Sequence, residues 1–98
     1  MMKGTAAVLV EAARAGALAD DIDWLWENLV DEVTGADQGW MRRLVIGSKA
    51  HAGRRLHEME SAAAMLQRLG VDPTMTRATV ASLTDLHAGG QIPELPDL

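Results

Sequence analysis

Apolar positions along this chain recur at helical spacing, and almost nowhere do they alternate as strand positions would. Four amphipathic segments can be marked out. The first runs from about Thr5 to Ala15, with Thr5 as N-cap, Gly16 as stop, and Val8, Leu9, Ala12 and Ala13 as a weak apolar face. The second runs from Asp20 or Asp21 to Val33. Ile22, Leu25, Trp26, Leu29 and Val33 form its stripe, the clearest in the chain, and Gly35 ends it. Its leading aspartates suit the positive end of a helix dipole.

The third segment begins near Asp37 and its pattern persists to Leu69. Met41, Val45, Ser48, Ala52, Leu56, Met59, Ala63 and Leu66 step by fours and threes. The middle of this seam is small, with Gly47, Ser48, Ala50, Ala52 and Gly53, so another helix can approach closely. Interior glycines weaken a helix by about 1 kcal/mol each, which makes Gly47 and Gly53 the places for a kink or break. The fourth segment follows Gly70. Asp72-Pro73 reads as N-cap and first helical position, Met75, Thr79, Val80, Leu83 and Leu86 as the buried face, and Gly89-Gly90 as the end. The remaining tail carries Pro93 and Pro96 and is expected to be extended, loose or docked through Ile92, Leu95 and Leu98. The expected architecture is therefore a single all-α domain over residues 1–98. It is a bundle of three to four helices (core 1–88) with a long central helix at about 37–69 and an extended tail at 89–98.

Composition changes one part of this picture. Among 98 residues there is no Phe, Tyr or Cys; three Trp, six Met and 16 Ala fill their places. So few large side chains make a thin core for a single chain, and a homodimer through the small-residue seam would thicken it. The lack of Cys removes disulfides, thiolate metal sites and thiol nucleophiles, and suits a reducing, cytoplasmic setting. No apolar run reaches the ~18 residues a membrane span needs. Residues 1–10 show no convincing signal-peptide pattern. The abundance of Ala, Arg, Gly, Asp and Val is of the kind found in bacterial or phage proteins.

Charge changes more. Between Asp20 and Asp37 there are seven acids and no base (Asp20, Asp21, Asp23, Glu27, Asp31, Glu32 and Asp37). Between Gln38 and His57 there are five bases and no acid (Arg42, Arg43, Lys49, Arg54 and Arg55). Blocks sorted in this way create opposed fields that steer and orient a docking partner. Trp24 projects from the acidic face of its helix, away from the apolar stripe. With Asp20, Asp21, Asp23, Glu27 and Asp31 around it, it forms a candidate partner-binding anchor. The plain alternative packs Trp24 under the first helix, the tail or a dimer mate. Trp26 lies on the stripe and is expected in the core. Trp40 is expected in core or cap packing.

Arg42, Arg43, Lys49, Arg54 and Arg55 form the alternative, nucleic-acid-binding candidate. The net charge of −5 works against it, as do the dispersal of these bases over several helix faces and the lack of interleaved aromatics. Pairing with the acidic helix, within one chain or across a dimer, is the simpler use of the bases. Ala12, Gly16, Ile22 and Leu25 have spacings that resemble a helix-turn-helix. Glu11, however, stands where an apolar residue is usual, and three aspartates in the reading helix would repel phosphate. An α-hairpin is the plain reading.

Catalytic and metal constellations are not apparent. His51 and His57 are about 120° apart on a helix, and His57 with Glu60 would supply two ligands at most. Ser48, Ser61 and Ser82 lack a nucleophile elbow, and no phosphate loop opens a helix. Met41, Met59, Met65 and Met75 could line an adaptable groove, although gap-filling in the core is the simpler role. The expected function is a non-enzymatic protein-binding module without cofactor, an adaptor or an inhibitor of a larger assembly. Its acidic helix would meet a basic partner surface. A dimeric nucleic-acid-binding regulator and a helical metal- or small-ligand-binding protein are the alternatives.

Overall fold

The structure, a computed structural model, describes residues 2–97. It is all helical: α1 (Met2–Leu18), α2 (Ile22–Thr34), α3 (Gln38–Ala50), α4 (Ala52–Leu69) and α5 (Thr74–His87). The count is five rather than three to four, because the expected central helix is two helices. The break falls at His51, between the two glycines where it was expected. There φ is −119° and ψ is 26°. The backbone bonds continue across the corner, from His51 N–H to the Gly47 carbonyl and from Arg55 N–H to the His51 carbonyl.

Local chemistry explains the corner. The Ser48 hydroxyl donates back to the Leu44 carbonyl at 2.7 Å, a bond that bends helices. The Arg55 guanidinium folds across Gly47, where a Cβ would lie 2.8 Å from Nη2. Beyond the corner Ala52 is buried and Gly53 lies against the His87 ring, so the small residues do bring two helices together. The two are α4 and α5, the most extensively packed pair in the molecule. Leu66, Val71, Pro73 and Leu83 complete this core. The α4 end is closed by Gly70 at φ 87°, with Val71 N–H reaching the Leu66 carbonyl at 2.9 Å.

Two expected boundaries move. Gly16 does not stop α1, and Thr5 is interior rather than a cap. Gly16 is buried inside the helix because α2 crosses there: a Cβ would lie 2.7 Å from the Leu25 side chain and 3.4 Å from the Ile22 Cα. Close approach required that glycine, and the stop shifts to Asp20, which adopts a left-handed φ of 58°. The result is the expected α-hairpin. At α5, Asp72 does not cap. Pro73 occupies the N-cap position, fully buried, and the Asp72 carboxylate instead lies 3.5 Å from Arg77 Nη1 on the surface. The tail is non-helical and docked: Arg42 donates to the Pro96 carbonyl at 2.9 Å, and Leu95 and Pro96 line a shallow hollow with Met41 and Val45. Leu98 lies outside the described residues.

Candidate functional site

The cap missing from α5 comes from elsewhere in the chain. Glu11, on α1, is buried and aimed at the first turn of α5. Its Oε1 accepts from Met75 N–H at 2.7 Å, and its Oε2 accepts from Thr76 N–H at 2.9 Å and the Thr76 hydroxyl at 2.7 Å. A carboxylate at a helix N-terminus satisfies open donors and meets the positive end of the dipole. Burial alone would raise its pKa. The Thr76 hydroxyl, the two backbone N–H groups and the nearby Arg14 charge outweigh that and hold it below the ordinary glutamate value. In the sequence this residue was noticed only as a polar misfit in an apolar pattern, which was the available signal. Beside it an apolar cavity of about 250 Å³ is lined by Met59, Met65 and Met75 from three of the four marked methionines, while Met41 lies at the tail hollow instead.

The opposite side of the molecule is open. The α2 backbone packs on that of α1 and of no other helix, and α2 meets α3 through the Trp40 indole on Glu32, near the turn between them. On α2 only Leu25 and Leu29 are half-covered. Trp26, expected in the core, is 54% exposed, and Val30 and Val33 are similarly open. The stripe was read correctly as apolar, but one neighbour is too little to cover it. With Leu9 these residues form a groove of about 220 Å³. Trp24 is 64% exposed, so neither α1 nor the tail covers it. On α3, Met41, Leu44, Val45 and Ile46 are exposed as well, with Leu95 and Pro96 of the tail lying beside Met41 and Val45. Trp40 is half-buried in cap packing, its N–H bonded to the Asp37 carboxylate at 2.8 Å and its indole to Glu32 at 3.3 Å.

The charge blocks stay apart as well. The ion pairs among the described residues are Arg54 with Glu58 and Arg77 with Asp72, and neither joins one block to the other. Asp20, Asp21, Asp23, Glu27 and Asp31 are all exposed on or beside α2. The bases have different surroundings. Lys49 donates to the carbonyls of Leu86 and Gly90, closing the C-terminal end of α5. Arg42 holds the tail, and Arg55 is tucked against Ser48 at 3.4 Å. Arg43 and Arg54 are the exposed members. Three of the five bases thus have internal work, and the block forms no continuous phosphate-facing row. No group of three His, Asp or Glu side chains converges among the described residues, and no helix there is long and apolar enough to cross a membrane.

A family model described as a domain of unknown function, DUF1932, matches residues 12–86. The chain belongs to the DUF1932 family. The match reaches from the middle of α1 to the end of α5, so this DUF1932 domain includes both the buried α4–α5 core and the open α2–α3 face. No curated protein and no solved structure matches the chain.

Proposed function

We propose that this DUF1932 chain is a non-enzymatic, cytoplasmic protein-binding module whose α2–α3 face docks a protein, as an adaptor or inhibitor does. One observation carries the reading: two consecutive helices present large apolar side chains to solvent beside charge sorted by sign. Large exposed apolar patches rimmed by polar residues mark interaction sites. Trp24 and Trp26 supply the kind of side chain that anchors such contacts, and Asp20, Asp21, Asp23, Glu27 and Asp31 favour a basic partner surface. The occupant is a heterologous protein or a second copy of the chain. The nucleic-acid reading has less support, because Arg42, Lys49 and Arg55 are engaged within the chain and the net charge is −5.

The test is capture of partners by the purified protein, with and without nuclease, comparing wild type with Trp24→Ala and Val30→Asp. A discrete protein that survives nuclease and is lost with either substitution supports the module. Retention of nucleic acid, lost with Arg43→Ala plus Arg54→Ala, would overturn it in favour of a nucleic-acid-binding regulator.

A further inference from the structure

We infer that the occupant of the α2–α3 face is a second copy of this chain, related by a two-fold axis that sets the acidic α2 of each copy against the basic α3 and α4 segment of the other. This rests on the protein-binding reading and commits it to one partner.

The first argument is area. The chain exposes 7143 Å². A folded monomer of 10.5 kDa is expected to expose about 5,400 Å². The excess, about 1,700 Å² per chain, is roughly twice what one partner contributes to a standard interface and falls in the range of obligate homodimers. The radius of gyration agrees: 14.4 Å, against about 12.6 Å for a compact domain of this length. The exposed apolar side chains of α2 and α3 are part of that excess.

The second argument is self-complementarity. A two-fold interface uses one patch twice, so that patch must contain its own complement. The α2–α3 face does. Asp23, Glu27 and Asp31 follow one another at intervals of four along α2, and Arg43 and Arg54 stand exposed on α3 and α4. Within one chain the two sets do not pair with each other, and Arg54 lies 3.7 Å from Glu58 on its own exposed helix face. A two-fold brings them together twice, while burying Trp26, Val30 and Val33 against Leu44 and Ile46, which are exposed to either side of Arg43 on α3 of the other copy. A heterologous partner would have to provide both signs of charge in the same arrangement.

The experiment is sedimentation equilibrium with charge reversal. Wild type is expected to sediment at twice 10.5 kDa in the micromolar range. Variant one carries Asp23→Lys, Glu27→Lys and Asp31→Lys; variant two carries Arg43→Glu and Arg54→Glu. Each alone faces like charge at both contacts and should dissociate about 100-fold more readily. Mixed together, they have opposite charge at both contacts and should restore the dimer. All these side chains are exposed, and unchanged circular dichroism is expected. Should either variant lose helix, Val30→Asp reads the same face, and so does the red shift of wild-type Trp emission on dilution through dissociation.

A wild-type chain that is monomeric at 100 µM overturns the inference. So does a dimer that ignores all three variants, since its interface lies elsewhere. A monomer that still captures a protein lost with Trp24→Ala overturns the second copy and leaves the module standing. A monomer that captures none overturns both.

Discussion

The α4–α5 hairpin and the α2–α3 segment come from the same chain with similar apolar content, yet one is buried and the other open. α4 and α5 present small residues to each other, Ala52 and Gly53, so their backbones come close and modest side chains such as Leu66 and Leu83 are enough to fill the space. α1 then lies across them and caps α5 through Glu11. α2 and α3 carry larger side chains, including all three Trp, but each has too few neighbours to cover most of them. Side-chain size therefore does not decide what is buried here. Burial follows how many helices converge, and convergence follows the small residues and the one buried carboxylate.

The sharpest way to break this contrast is Glu11→Ala. It leaves the N–H groups of Met75 and Thr76 and the Thr76 hydroxyl without their acceptor in a buried place. The expected loss is about 3–5 kcal/mol, measured by urea unfolding. Trp24→Ala, on the open side, should change monomer stability by less than about 0.5 kcal/mol. Equal losses at the two sites would dissolve the distinction between a structural and a docking half.

Leu83→Ala and Val30→Ala sharpen it further. Leu83 is 5% exposed and Val30 is 46% exposed. The first should cost about 2–5 kcal/mol through lost burial and the cavity left behind. The second should cost about 0.5 kcal/mol or less when the chain is dilute, and more once it is concentrated enough to associate.

Acid tests the buried side alone. The Glu11 carboxyl is held below its unfolded value, so the folded state binds that proton less readily. Its contribution is complete above the ordinary glutamate range and is lost as pH falls through the lowered folded value. Urea midpoints measured downward from pH 6 should therefore decline in wild type. Glu11→Gln should start lower and lose that part of the slope. An unchanged slope in Glu11→Gln would place the acid sensitivity in the exposed carboxylates instead.

The contrast also marks what could be read from the chain directly. Helical class, the α2 and α5 stripes, the α-hairpin of α1 and α2, and the glycine at the end of α4 all follow local rules, and each was legible. The small-residue seam foretold a close helix contact, though not which helix would make it. Three things required the third dimension. Trp26 looked buried because periodicity shows which face is apolar and says nothing of whether anything covers it. The sequence offered Gly47 and Gly53 as places for a break, but that the helix does turn, and at His51, depends on Ser48 and Arg55 meeting across the corner. Glu11 caps a helix that begins more than sixty residues later, and no window of sequence contains both partners. As for the candidate site, the charge blocks were plain in the sequence, while their failure to pair within the chain was not.

A smaller effect than those at Glu11 and Leu83 separates two helix ends of one design. α1 and α4 finish with the same pair of backbone bonds: Asp21 N–H to the Gly16 carbonyl and Asp20 N–H to the Ala17 carbonyl in α1, and Val71 N–H to Leu66 and Gly70 N–H to Gln67 in α4. The left-handed residue is Gly70 in the buried half, at φ 87°, and Asp20 in the open half, at φ 58°. A Cβ in that conformation crowds the following carbonyl, and aspartate tolerates it only in part. Asp20→Gly should therefore stabilise the chain by about 0.5–1 kcal/mol, and Gly70→Asp should destabilise it by a similar amount, both read from urea midpoints. Space is not the obstacle at Gly70, where an added Cβ meets nothing within 4 Å, so its loss would measure backbone conformation alone. If Asp20→Gly instead destabilises, the aspartate contributes something at that turn beyond its backbone angle. The acidic α2 entry would then be part of the structural half as well as the docking one.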